Sequence, residues 1–137
     1  MATLKGDLEF GTKNEEFIHS TLENTFKKSL TRRGGYSIFD YDDGGTFFIE
    51  LKTRRIKHNA YPTSLIGANK VAVAANNPTK KYWFVFSYVD GLYGIEYNKE
   101  LFDTFDNSSY TRGARDDCNN NVQQCYFIPI EKLQKLN

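Results

Sequence analysis

The sequence predicts an α/β domain in which a mixed central β-sheet is flanked by helices. Three observations predict it. Apolar residues recur at helical spacing over 14–30, two pairs of strand-like segments are each joined by a glycine-containing turn (36–54 and 82–97), and a helix-compatible stretch lies between those pairs. A chain of 137 residues suffices for one substantial core, so 1–137 is read as a single compact domain. Its 11 Phe and 9 Tyr suit strands and argue against disorder.

The first helix is expected over 14–30. Asn14 is placed to cap it, and Glu15 and Glu16 fall in the first turn, where negative charge is favoured. Phe17, Ile18, Leu22, Phe26 and Leu30 then form the face to be buried. After Gly34-Gly35 comes a hairpin. Its first arm, 36–42, alternates around Tyr36, Ile38, Asp40 and Asp42, and its second, 46–54, is rich in aromatic and β-branched residues. Asp43-Gly44-Gly45 supplies the turn between them. A polar loop through Asn59 and Pro62 leads to a helix over about 64–76, capped by Thr63 or Ser64. Val71 and Val73 leave a strand as the alternative there. Asn76-Asn77-Pro78 ends the segment. Residues 82–89 are apolar at nearly every position, as in a strand covered on both faces, and Asp90-Gly91 turns the chain into a partner over 92–97. A short helix near 99–105, a loop over 106–121, a strand over 123–128 and a terminal helix over 130–136 complete the expectation.

The charge is nearly balanced, 18 basic against 17 acidic side chains, so any phosphate-binding surface must come from local clustering. Such a cluster exists in Lys52, Arg54, Arg55, Lys57 and His58, although an ordinary solvated loop has the same composition. No stretch has the roughly 20 consecutive apolar residues needed to cross a bilayer, so no membrane partner is expected. Lys5, Asp7 and Glu9 interrupt what would be the apolar part of a signal peptide. An intracellular, nucleic-acid-containing compartment is the expectation. Cys118 and Cys125 are too few for a disulfide framework and lack the companions of a zinc site. Reduced thiols are expected, with a 118–125 disulfide as the alternative.

The chemistry is expected at the hairpin. With Gly44-Gly45 in the turn, Asp40 falls opposite Glu50 or one residue off, and directly opposed residues hold their Cβ atoms about 4.5–5.5 Å apart. Carboxylates that close repel unless a cation neutralises them. Strand alternation sends Glu50 and Lys52 to one face and Phe47, Ile49 and Leu51 to the core. One or two carboxylates with water and substrate phosphate are what Mg²⁺ prefers, and Mn²⁺ is a ready substitute. An adjacent ammonium can hold an attacking water or offset phosphoryl charge. The catalytic candidates are therefore Asp40, Glu50 and Lys52. Glu-x-Lys alone is weak, since alternating charges also mark the solvent face of a strand.

Ile38-Phe39-Asp40, the glycine turn and Phe48-Ile49-Glu50-Leu51-Lys52-Thr53 resemble the catalytic hairpin of the PD-(D/E)XK, or restriction-endonuclease-like, nuclease superfamily. The resemblance spans roughly 10–97 and implies a helix, three antiparallel strands, a helix and a further strand around a metal site. It implies Asp40 and Glu50 as metal carboxylates, the backbone carbonyl of Leu51 as another ligand and Lys52 as the catalytic lysine. Gly11-Thr12-Lys13-Asn14-Glu15 resembles the first helix of archaeal Holliday-junction resolvases, which implies Glu15, or alternatively Glu16, as a further metal carboxylate. Phe39 stands where the superfamily usually has proline, and Asp42 and Asp43 compete with Asp40, with Asp42 ranked as auxiliary.

Arg54, Arg55 and Lys57 continue from the catalytic strand and are expected to contact nucleic-acid phosphates. Tyr61, Ser64 and Lys70 are candidates from the following loop and helix, and Arg112 and Arg115 from the 106–121 loop. His19 is read as structural and His58 as solvent-exposed. The resulting expectation is metal-dependent hydrolysis of duplex or branched DNA by an endonuclease, with a homodimer suited to cutting both strands. A noncatalytic DNA-binding module and a structural or interaction protein are the alternatives.

Overall fold

Ile18 and Leu22, four residues apart, fix the inner face of the first helix, which in the computed structural model occupies residues 16–26 (α1). The structure describes residues 16–35, 37–111 and 122–137. Phe17 does not join the buried face expected of it. It lies one position around the helix from Ile18 and is 60% exposed. The helix closes on Lys27, whose φ of 54° is left-handed, while the Lys28 N–H reaches back to Glu23 O at 3.2 Å. Leu30 is buried beyond that end, its N–H held by the Glu23 carboxylate at 2.9 Å.

The chain then forms β1 (Thr31–Arg32), β2 (Tyr41–Asp42) and β3 (Phe47–Thr53), successive neighbours paired antiparallel. The hairpin's first arm is thus far shorter than the expected 36–42. Next come β4 (Thr63–Gly67) and α2 (Ala68–Ala75). The expected helix over 64–76 is split here, because Ser64, Leu65 and Ile66 pair with a later strand and the helix begins only after Gly67, which caps it without a side chain. Val71 and Val73 are helical, and Val71 and Ala74 face the core. β5 (Lys81–Tyr88) returns parallel to β3, as a crossover through a helix allows, and β6 (Gly91–Glu96) folds back on it.

A short α3 (Lys99–Phe102) precedes β7 (Asp106–Thr111), a strand where a loop was expected, and β8 (Val122–Pro129). Pairing with β8 explains the difference, since a strand built of Asp106, Asn107, Ser108 and Ser109 has little local signal. The expected terminal helix is a single 3₁₀ turn, Ile130–Lys132, followed by β9 (Gln134–Lys135) on the edge of β6.

Among the described residues two sheets result, one of order β1-β2-β3-β5-β6-β9 and one of order β4-β8-β7. The architecture is α/β, a mixed central sheet flanked by helices. Alternation along β5 divides the core. Tyr82, Phe84, Phe86 and Tyr88 pack with Ile66, Val71, Ala74 and Ile128 from the α2 side. Val85 joins Ile18, Leu22, Phe47 and Ile49 beneath α1. Leu22 and Ile49 are fully buried, each stabilising by about 2 kcal/mol. Among the described residues, no helix is long and apolar enough to cross a membrane.

Candidate functional site

The β2–β3 register decides which acids meet. Tyr41 pairs with Ile49 and Asp42 with Phe48, and one step further along this register Asp40 falls opposite Glu50. Backbone bonds hold Asp40 there, its N–H donating to Ile49 O at 3.0 Å and its carbonyl accepting from Arg33 N at 2.6 Å. Its side chain reaches across to β3, where Oδ2 accepts from the Leu51 N–H at 2.7 Å. Glu50, one residue earlier on β3, is 3% exposed and lies beside the fully buried Phe84 of β5.

Such a position is costly for a charged carboxylate. Burial pushes Glu50 up to about 7, and Asp40, within hydrogen-bonding reach, pushes in the same direction. Two ammonium groups oppose this. Lys52 Nζ stands 3.7 Å and Lys70 Nζ 3.3 Å from Glu50 Oε2. Both contacts are ionic, and among the described residues no hydrogen bond reaches that oxygen. Lys70 comes from α2, bonds Ile38 O, and lies 5.6 Å from the centre of the Phe39 ring. The site therefore joins Asp40 before β2, Glu50 and Lys52 on β3, and Lys70 on α2.

The competing acids are engaged elsewhere. Asp42 forms a bidentate pair with Arg33, at 2.8 and 3.0 Å, and accepts from Gly44 N. The Arg33 guanidinium holds its carboxyl below the usual range. Asp43 accepts the backbone N–H groups of Gly45, Thr46 and Phe47 and the Thr46 hydroxyl, which together hold it well below that range. The turn itself bends at Gly44, whose φ of 105° favours glycine. Asp42, expected as an auxiliary acid, is thus held by Arg33 and the turn backbone.

No protein-family model and no curated protein matches this chain.

The donor set suits a small hard cation, with two carboxylates side by side and one oxygen that lacks a hydrogen bond. Among the described residues, no three His, Cys, Asp or Glu side chains converge. Glu15 lies outside the described residues, as do Arg112, Arg115 and Cys118, while Glu16 is exposed. Cys125 is buried on β8.

The other sequence-derived candidates divide by exposure. Arg55 and Lys57 are exposed, and Tyr61 is half-buried. Arg54 is buried, with Nη1 donating to Thr53 O at 3.3 Å, and Ser64 is buried with its hydroxyl against that of Tyr88. Both Arg54 and Ser64 thus turn inward, away from a surface phosphate. His58 is not the solvent-exposed ring expected. Its Nδ1 lies 2.5 Å from Asp90 Oδ2, and the ring stacks on Tyr93 at 4.4 Å. His19 is structural, with Nε2 2.7 Å from Leu30 O. Sequence reasoning missed the Arg33–Asp42 clamp, for which no local pattern exists. It also missed the aromatic wall beside Asp40, which Phe39 and Phe48 foreshadow by flanking the two acids.

Proposed function

We propose that this protein is a metal-dependent DNA phosphodiesterase acting as an endonuclease on a restriction-endonuclease-like scaffold. The observation that carries the reading is the carboxylate pair of half-buried Asp40 and buried Glu50, the latter with an oxygen that no hydrogen bond reaches among the described residues, accompanied by Lys52 and Lys70. The order of elements supports the scaffold, with α1, three antiparallel strands, α2 and a strand parallel to β3. β4 is an addition to that order.

Asp40, Glu50, the Leu51 carbonyl and Glu15 would hold Mg²⁺ or Mn²⁺. The metal's contribution is to acidify a water and offset charge on the scissile phosphate. Lys52, partly exposed and on the strand face of Glu50, orients the water or balances charge developing on phosphorus. Lys70 anchors the same Glu50 oxygen from α2. Arg55 and Lys57, exposed after β3, would grip the DNA backbone, with Tyr61, Arg112 and Arg115 proposed from the sequence as further contacts. Severing both strands of a duplex together would require a second active site, hence a homodimer.

One observation favours a second reading. Two ammonium groups already face Glu50, so the cluster is partly neutralised without a metal, as suits a noncatalytic DNA-binding module. Incubation with supercoiled, linear, single-stranded and four-way-junction DNA in Mg²⁺ or Mn²⁺, with an EDTA control, separates the readings. Metal-dependent products lost in both Lys52→Ala and Glu50→Ala support the enzyme. Binding without products supports the module, and equal products from every variant reject the assigned site.

A further inference from the structure

A cavity of about 270 Å³ lies next to the carboxylate pair, and the activity proposed above does not use it. Its walls include the rings of Phe39, Phe48 and Tyr82, with Ile38, Asn77, Lys80 and the Arg33-paired Asp42 around them. Phe48 lies nearly parallel to Tyr82, their centroids 5.0 Å apart at 15°, and Phe39 tilts toward both rings. Phe39 and Tyr82 are buried and Phe48 is half-buried, while Ile38, 50% exposed, leaves an apolar side chain in water at the same cavity. The Lys80 ammonium rests 5.4 Å from the centre of the Phe48 ring. Asn77 has its amide nitrogen tied to Val73 O at 2.8 Å, so a hydrogen bond to an incoming donor falls to Oδ1. Aromatic faces with a cation and an amide beside them match the chemistry of a nucleobase and its phosphate.

Position strengthens the match. Phe48 and Glu50 are two residues apart on one face of β3, about 7 Å along a strand, the scale of one nucleotide step in an extended strand. Phe39 adjoins Asp40 in sequence. Lys70 bridges the two places, touching Glu50 and lying over Phe39. A phosphate at the acid pair would therefore carry a neighbouring base to the cavity mouth. A base within a duplex has both faces stacked and its edge paired, so only an unpaired base can enter.

We infer that this cavity is a nucleobase pocket and that the substrate is DNA presenting an unpaired base beside the scissile phosphate. The base stacks on the half-buried Phe48 ring, and Lys80 leaves that ring to meet the adjoining phosphate. This inference rests on the nuclease reading. The unpaired base can come from a single strand or from a disrupted duplex.

The test uses 2-aminopurine, whose fluorescence falls when it stacks, placed in a single strand, a mismatched duplex, a four-way junction and a fully paired duplex. Binding is measured in Mg²⁺ with the Lys52→Ala protein, alone and combined with Phe48→Leu, which keeps bulk and removes the aromatic face. Unpaired substrates are expected to quench and to bind about tenfold more tightly than the paired duplex, an advantage that Phe48→Leu removes. Quenching by the single strand alone, or by the mismatch and junction as well, identifies the source of the base. Urea midpoints report whether Phe48→Leu folds. If it does not, Lys80→Glu, at an exposed position, should weaken unpaired substrates more than paired ones. Equal affinity for paired and unpaired DNA, with the wild-type protein still cutting in Mg²⁺, overturns the pocket and leaves the nuclease standing. Neither binding nor metal-dependent cutting removes both.

Discussion

Four acids lie within one hairpin, and the fold treats them in two opposite ways. At the turn, Asp42 and Asp43 accept hydrogen bonds from a guanidinium, backbone N–H groups and a hydroxyl, and both are driven toward the charged form. A few residues away, Glu50 is buried against Phe84 and beside Asp40, and is driven toward the neutral form. The turn acids organise backbone and therefore stabilise. Glu50 opposes folding while it is charged, and lysines only partly relieve it. Groups held at such a disadvantage are concentrated where chemistry occurs, because a ligand can recover what the fold gives up.

The sharpest way to break this comparison is to exchange the chemistry of each pair. Asp40→Asn or Glu50→Gln should lower metal-dependent cleavage by on the order of 10²–10³-fold in single-turnover assays. Asp43→Ala should leave the rate per folded molecule near that of wild type. The same Asp43→Ala change should cost about 2 kcal/mol in urea unfolding, because three backbone donors lose their acceptor. A catalytic collapse in Asp43→Ala would erase the distinction.

The pH dependence should differ in sign between the two regions. Glu50 has a folded value near 7, above its ordinary 4.5, so the folded state holds the extra proton between those limits. Its favourable contribution is complete below 4.5 and is lost as pH rises through 7. Asp42 and Asp43, with lowered values, contribute above 3.8 and lose that contribution as pH falls. In EDTA at alkaline pH, Glu50→Gln should therefore be more stable than wild type by about 2 kcal/mol. Mg²⁺ should raise the wild-type Tm there and leave that of Glu50→Gln nearly unchanged. A variant no more stable than wild type would mean that the buried carboxylate carries no penalty. The smallest effect belongs to Lys28 at the turn, 3.7 Å from Asp43 and largely solvated. Lys28→Gln should cost less than about 0.5 kcal/mol, and added salt should abolish the difference in urea midpoint.

Several elements were legible along the chain because their cause is local. The apolar run of β5, the Asp90-Gly91 turn and the spacing of Ile18 and Leu22 are patterns that neighbouring residues create. β4 and β9 were not legible, since each exists by pairing with a strand distant in sequence, and β7 was not because its Asp, Asn and Ser residues carry little strand signal. Phe17 misled because helical periodicity names a face only to within a residue or so. The candidate site followed the same division. Glu50 and Lys52 share a face by strand alternation, and Asp40 follows from turn length. Nothing local indicated that Arg33 would take Asp42, that Asp90 would take His58, or that Lys70 would reach Glu50.

By itself, then, the order of residues determined an α/β chain and the carboxylates and lysine that face one another across a tight turn, because alternation and turn chemistry act over a few bonds. Only the folded arrangement decided that Arg33 would take Asp42 and that Glu50 would be buried beside Phe84. Desolvation and the choice of partner depend on residues that meet through space, and no short stretch of sequence contains both Arg33 and Asp42, or both Lys70 and Glu50.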